Sequence, residues 1–149
     1  MPVLHLETRI AAPVERCFDL SLSIDAHSES MAGSRERAVA GVTSGRIGPG
    51  ESVTWRARHF GLPVRMTSVI GDYERPVRFV DEQTRGPFKR WWHEHLFFDE
   101  GGGTLMVDRI EFEAPLGPLG RLAERAILVR YMRRLIESRN RWLAEALES

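Results

Sequence analysis

From Arg35 to Pro115 the chain is a succession of short alternating segments, each closed by glycine or proline, and this most limits what it can become. Alternation puts successive side chains on opposite sides of an extended backbone, so each segment reads as a strand with one face to bury. The segments span 36–43, 51–60, 64–73, 77–84, 88–98 and 104–113. Between them stand Ser44-Gly45 to Pro49-Gly50, Gly61-Leu62-Pro63, Arg75-Pro76, Gly86-Pro87 and Gly101-Gly102-Gly103. Connections this short favour antiparallel neighbours, because a parallel return needs a crossover of roughly a dozen residues. A meander is expected.

The flanks complete an α+β pattern. Residues 3–11 set Leu4, Leu6, Thr8 and Ile10 against His5, Glu7 and Arg9, which predicts a further strand. Pro13 fixes φ for a first helical turn, and Val14, Cys17, Phe18 and Leu22 give that short helix its apolar stripe. A second short helix is predicted over 24–31, ending near Gly33. After Pro115-Leu116-Gly117-Pro118, residues 119–147 repeat with period 3.6. Leu122, Ala126, Val129, Ile136, Leu143 and Leu147 fall near one stripe, on a helix roughly 40 Å long. No repeat, linker or low-complexity run divides the chain, so residues 1–149 are expected to form one domain.

Composition removes several classes. Net charge is zero, which gives no reason to expect a nucleic-acid partner. Cys17 is the sole cysteine, so the chain cannot close a disulfide within itself or build a thiolate zinc site. No stretch approaches the ~18 apolar residues of a membrane span. His5, Glu7 and Arg9 interrupt the apolar run that an export signal needs. A cytoplasmic protein is expected.

The order of elements, with several local patterns, resembles the Bet v 1-like or START-like (SRPBCC) superfamily, and within it the bacterial polyketide cyclase/dehydrase-type proteins. The patterns are Ile10-Ala11-Ala12-Pro13 before Phe18, Gly50 before Val53-Thr54-Trp55, and Pro76 before Phe79-Val80-Asp81. Gly86-Pro87-Phe88, Trp91-x-His93-x-His95-x-Phe97, Thr104-x-Met106-x-Asp108 and Pro115-Leu116-Gly117-Pro118 follow. The resemblance covers nearly the whole chain. It implies a helix-grip fold: a curved antiparallel sheet of about seven strands wrapped around a long C-terminal helix, with two short helices after the first strand. It also implies a cavity between sheet and helix without naming the occupant, since the superfamily includes lipid and hormone carriers, aromatase/cyclases, quinone-binding chaperones and regulatory proteins. Physics points the same way. One helix cannot fill the hollow of a strongly curved sheet, and an apolar void that persists usually holds a ligand or bound water.

Trp91, His93, His95 and Phe97 alternate, so they share one face of a strand. Asp81 and Asp108 lie on alternating faces of neighbouring strands, beside Phe79 and beside Met106, Ile110 and Phe112. If these faces coincide, two imidazoles and two carboxylates meet inside an apolar wall. The leading reading is a structural hydrogen-bond network. The alternatives are a polar patch that orients a ligand, acid–base catalysis by His93, His95, Asp81 or Asp108, and a His-x-His metal site whose third ligand must come from Asp81, Asp108 or Glu94, the last on the opposite face. Neither a metal nor a cofactor is expected. The wall of the hollow is expected to include Val53, Trp55, Met66, Phe79 and Trp91, with Met106, Ile110 and Phe112 and the polar His93, His95 and Asp108. Trp55 and His59 are expected mainly to pack in the core.

Two surface features remain. Phe88, Trp92, Leu96 and Phe98 make a second apolar stripe on what should be the outer face. Either the face assignment is reversed there or a homodimer near Trp92 covers it. The long helix is basic from Arg121 through Arg125, Arg130, Arg133, Arg134 and Arg139 to Arg141, which is expected to be a solvated face. Arg130 and Arg133 are expected to lie closest to a pocket mouth. Three functions follow as expectations: a binder of a small hydrophobic molecule (lipid, polyketide or quinone-like), a cyclase/aromatase- or dehydratase-type enzyme, or an interaction module.

Overall fold

Seven antiparallel strands hydrogen-bond in the order β1-β7-β6-β5-β4-β3-β2 in the computed structural model, which describes residues 2–149. They are β1 (Val3–Ile10), β2 (Arg37–Gly41), β3 (Ser52–His59), β4 (Leu62–Glu74), β5 (Arg78–Arg85), β6 (Arg90–Glu100) and β7 (Gly103–Glu113). Helices α1 (Val14–Ser21) and α2 (Ile24–Ser30) follow β1. A helical rod of 32 residues closes the chain: α3 (Gly117–Ala123), a π-helical segment at Glu124–Leu128, and α4 (Val129–Glu148). This is the expected helix-grip arrangement. Each sequential strand from β2 to β7 pairs with the next, and β1 adds to β7, so the sheet is open with β1 and β2 at its opposite edges.

Local chemistry moves some boundaries. The turn after β3 is Phe60-Gly61, with His59 paired to Leu62 and both turn residues at positive φ (54° and 73°). That is the twist a two-residue hairpin requires. Pro63 therefore lies inside β4, opposite Arg58, at a level where β5 has not yet joined; its missing N–H faces no partner strand. β2 is shorter than its alternation implied, with a register shift between Ala38 and Ala40. Further shifts at Thr67/Ser68 and Ile70/Tyr73 bend β4 against β5, the usual way a sheet acquires curvature.

Two apolar clusters pack the sheet against the helices. In one, Phe18 of α1 meets Tyr73, Phe79 and Phe97 edge-on at 5.3–5.5 Å between ring centroids, over Leu143 and Leu147 of α4. In the other, Leu4, Leu6, Ile110 and Phe112 pack against Met132 and Ile136. Cys17 is a buried core residue, as expected.

The stripe predicted along the C-terminal helix is only half buried. Ile136, Leu143 and Leu147 face the core, whereas Leu122 and Ala126 are exposed. The π-helical segment explains the difference: wider turns shift the phase of the residues before it relative to those after it, so one 3.6-residue stripe cannot serve both halves. Before that segment the rod buries Gly120 instead, and at its first residue Glu124. A Cβ at Gly120 would stand 1.9 Å from the Pro115 carbonyl oxygen, and Glu124 accepts a 2.5 Å hydrogen bond from the Ala114 N–H.

The outer stripe of β6 also needs correction. Phe88 precedes the strand and packs inward on Trp91 and Phe112, at 5.2 and 5.7 Å between ring centroids. Trp92 and Leu96 are half-buried within one chain, and between them Glu94 is ion-paired to Arg78 at 2.6 Å. The surface left for a homodimer near Trp92 is smaller than alternation implied.

Candidate functional site

A cavity of about 370 Å³ lies between the inner face of the sheet, α2 and α4. Inward alternation on β3 supplies Val53, Trp55 and Ala57, and β4 adds Met66, Ser68 and Ile70. Trp91, His93 and His95 of β6 reach the wall from the same side as Phe79 and Asp81 of β5. Among the residues expected to line the hollow, Met106, Asp108, Ile110 and Phe112 do not reach it. Their strand, β7, lies where α1 and α4 press on the sheet, so Met106 packs in the Phe18 cluster and Ile110 and Phe112 pack against Met132 and Ile136. Asp108 is fully buried behind the histidines.

The four predicted polar residues do meet. His93 stands opposite Asp81, and His95 opposite Asp108, in the strand register. Each imidazole nevertheless bonds the diagonal carboxylate. His93 Nε2 is 2.7 Å from Asp108 Oδ1, and His95 Nε2 is 2.6 Å from Asp81 Oδ2. An ionised carboxylate only accepts, so both Nε2 atoms donate. The two rings stack at 3.7 Å, and Phe79 stacks on His95 at 4.1 Å. His95 Nδ1 is left buried without a hydrogen-bond partner, 3.6 Å from Asp108 Oδ1.

Two more members come from α4, and sequence reasoning missed both. Arg139 Nη2 donates to Asp108 Oδ1 and Asn140 Nδ2 donates to Asp108 Oδ2, each at 2.8 Å. Arg139 also donates to Asn140 Oδ1 from Nε and Nη2, at 3.0 and 2.8 Å. Arg139 is therefore buried, not part of the solvated basic face assigned to it. The signal was present in the spacing: residues 136, 139, 140 and 143 share a helical face, so a polar pair interrupts an apolar stripe.

Burial opposes ionisation of both carboxylates, yet their partners win. Asp81 is held down to about 2 by His93, by the hydrogen bond from His95 and by Arg139. Asp108 lies well below the ordinary carboxylate range because of Arg139 and the His93 hydrogen bond. His95 is pushed down to about 4, chiefly by burial and then by His93, against the pull of Asp81. The resting state is a pair of carboxylates facing a neutral His95.

Asp81, His93 and His95 also place one ligand atom each within 4.8 Å of one another. Their geometry serves hydrogen bonding better than chelation. Rings stacked at 23° point their in-plane lone pairs along nearly parallel lines, while a metal ion requires them to converge.

A second polar group occupies another part of the cavity wall, and only its His59 was singled out beforehand. His27 Nε2 is 2.9 Å from Glu36 Oε1, and Ser34 Oγ donates to Glu36 Oε2 at 3.2 Å. The His27 ring lies 4.2 Å from that of Trp55. His59 Nδ1 hydrogen-bonds the Tyr131 hydroxyl. Burial is outweighed at Glu36 by His27, His59 and Ser34, so its carboxyl stays low; burial lowers His59 and raises Tyr131. Strand β3 stands two places from β5, with Met66 and Ile70 of β4 on the wall between them.

A curved sheet gripping one long helix, with an apolar hollow polar at two places, defines a cavity-bearing helix-grip protein. The sequence matches the polyketide cyclase / dehydrase and lipid transport family over residues 1–148, and the chain belongs to that family. A protein from Thermus thermophilus is 26% identical, with a TM-score of 0.80 over 98% of this chain and 97% of its own. The Zhui aromatase/cyclase of a Streptomyces species superposes with a TM-score of 0.78 at 15% identity, covering 99% of this chain and 93% of its own. A START superfamily protein from Mycobacterium smegmatis gives 0.75 at 13% identity, over 98% and 97%. No curated protein matches in sequence.

Proposed function

We propose that this chain binds a small hydrophobic molecule in the cavity, and that the molecule carries hydrogen-bonding groups toward its two ends. The observation behind this reading is the apolar wall of Val53, Trp55, Met66, Phe79 and Trp91 with a polar group at each of two separated places. Pockets take most of their affinity from apolar contact and use few polar atoms to orient the guest. Asp81, His95 and the His27–Glu36 pair are those atoms here. Lipid, polyketide and quinone-like molecules all fit this description.

N-phenyl-1-naphthylamine, an apolar fluorescent probe, is expected to bind saturably with one site per chain. Val64→Trp, at a half-buried position on the cavity wall, is expected to weaken that binding at least about tenfold, or about 1.4 kcal/mol. A probe that never saturates, or binds the variant equally well, removes the proposal. Native mass spectrometry of gently purified protein then identifies what the cavity carries.

A cyclase- or dehydratase-type enzyme is the second reading, favoured by one feature: Asp81 remains 22% exposed at the cavity while hydrogen-bonded to His95. Proton transfer works best when the group's pKa lies near the working pH. Asp81 at about 2 and His95 at about 4 are each far from it, which favours positioning over catalysis. Asp81→Asn separates the readings. Under the binding reading it changes affinity, while under the enzymatic one it abolishes turnover and leaves binding intact.

A further inference from the structure

We propose that residues 116–134, with the tip of the β3–β4 hairpin, form a docking surface for an anionic lipid bilayer. Leu116, Leu119 and Leu122 are 79, 72 and 66% exposed, and Ile127 is exposed beside them. A helix at a protein surface normally turns its large apolar residues inward, so a set left in water marks a surface that meets something.

Charge identifies the partner. Every exposed charge between residues 114 and 136 is an arginine: Arg121, Arg125, Arg130, Arg133 and Arg134. The one carboxylate in that span, Glu124, is buried on the Ala114 N–H. The hairpin repeats the pattern. Phe60 and Leu62 are exposed at its tip, Arg56, Arg58 and Arg65 are exposed along it, and no acidic residue occurs from Ser52 to Gly71. Phe60 lies 4.5 Å from the Tyr131 ring, which brings the tip against the rod. The chain as a whole is neutral, so this is a local polarisation of its surface.

Leucine and phenylalanine interleaved with arginine suit the interface of a bilayer, where apolar side chains leave water while guanidinium groups stay among lipid phosphates. A nucleic acid would meet the arginines but leave the leucines in water. No helix is long and apolar enough to cross a membrane, so the surface lies on the bilayer and does not enter as a span. Phe60, Leu62, Pro115 and Leu128 also border the cavity, and docking would set that end of the hollow against lipid. The proposal does not depend on what the cavity binds.

Co-sedimentation of the full chain with vesicles of phosphatidylglycerol and phosphatidylcholine tests it. Binding is expected at about 0.1 M salt, with a marked loss at about 1 M and little retention on pure phosphatidylcholine. The pair Leu119→Glu, Leu122→Glu is expected to weaken binding by about 100-fold. The pair Arg121→Glu, Arg125→Glu is expected to weaken it by at least about 25-fold, taking about fivefold per lost charge near the surface. All four side chains are exposed, and an unchanged far-UV spectrum verifies folding; should the leucine pair fail to fold, the arginine pair carries the test. The proposal is overturned by absence of binding to the anionic vesicles, by equal binding to neutral ones, or by variants that bind like the parent. A dimer in sedimentation equilibrium that Leu119→Glu dissociates would overturn it too, assigning the surface to a second copy.

Discussion

Asp108→Ala is expected to lower the free energy of unfolding by about 3–5 kcal/mol, a large share of what a domain this size possesses. Asp108 is fully buried and accepts hydrogen bonds from His93, Arg139 and Asn140. Its loss strands the Arg139 guanidinium, itself 5% exposed, with Asn140 Oδ1 as its remaining acceptor in the network. Removing one partner of a buried pair costs far more than removing both. The double change Asp108→Leu, Arg139→Met is therefore expected to regain the part of the loss due to the stranded guanidinium, while His93 Nε2 and Asn140 Nδ2 still lack their acceptor. Urea unfolding of the three chains measures this. A single variant within about 1 kcal/mol of the parent would show that the network contributes little.

Mild acid is expected to destabilise the protein well before ordinary carboxylates titrate. His95 is neutral in the folded chain, with its pKa pushed from 6.5 down to about 4. An unfolded chain takes up that proton near pH 6.5, so stability is fully present above this pH and is lost as the pH falls toward 4. The displacement corresponds to about 3 kcal/mol. His59, lowered by burial, adds in the same direction. A second stage follows between about pH 4 and 2, where Asp81 would protonate in the unfolded chain but stays ionised in the folded one. Thermal melting followed from pH 7.5 downward checks both stages. His95→Gln should flatten the first stage; a parent chain with constant melting temperature from 7.5 to 5 contradicts the assignment.

The legible and illegible parts of the molecule differ for physical reasons. Period-two alternation is a strict rule, and it located all seven strands and the inward face of Trp91, His93 and His95. It also brought Asp81 and Asp108 to one network before any register was known. Alternation does not reveal which stretch of an inward face meets the helix and which meets the hollow. That is why alternation alone puts Met106, Ile110 and Phe112 on the cavity wall although α1 and α4 cover them. Arg139 was hidden by its neighbours: among so many arginines, a buried one differs only by its position relative to Ile136 and Leu143. The exposed Leu122 and Ala126 depend on the π-helical turns, which a fixed 3.6-residue period excludes by construction. Pairs such as His27 and Glu36 are contributed by a loop whose path no periodicity describes.

The C-terminal rod behaves as two mechanical units joined end to end. From Val129 to Glu148 it is stitched to β7 through Arg139, Asn140 and Asp108, so its amide protons should exchange only when the whole protein opens. From Gly117 to Leu128 it buries only Gly120 and Glu124, and fraying there costs little. That short piece carries Leu128 and follows Pro115, both on the cavity wall, so its local melting would open that end of the hollow while the gripping strands stay in place.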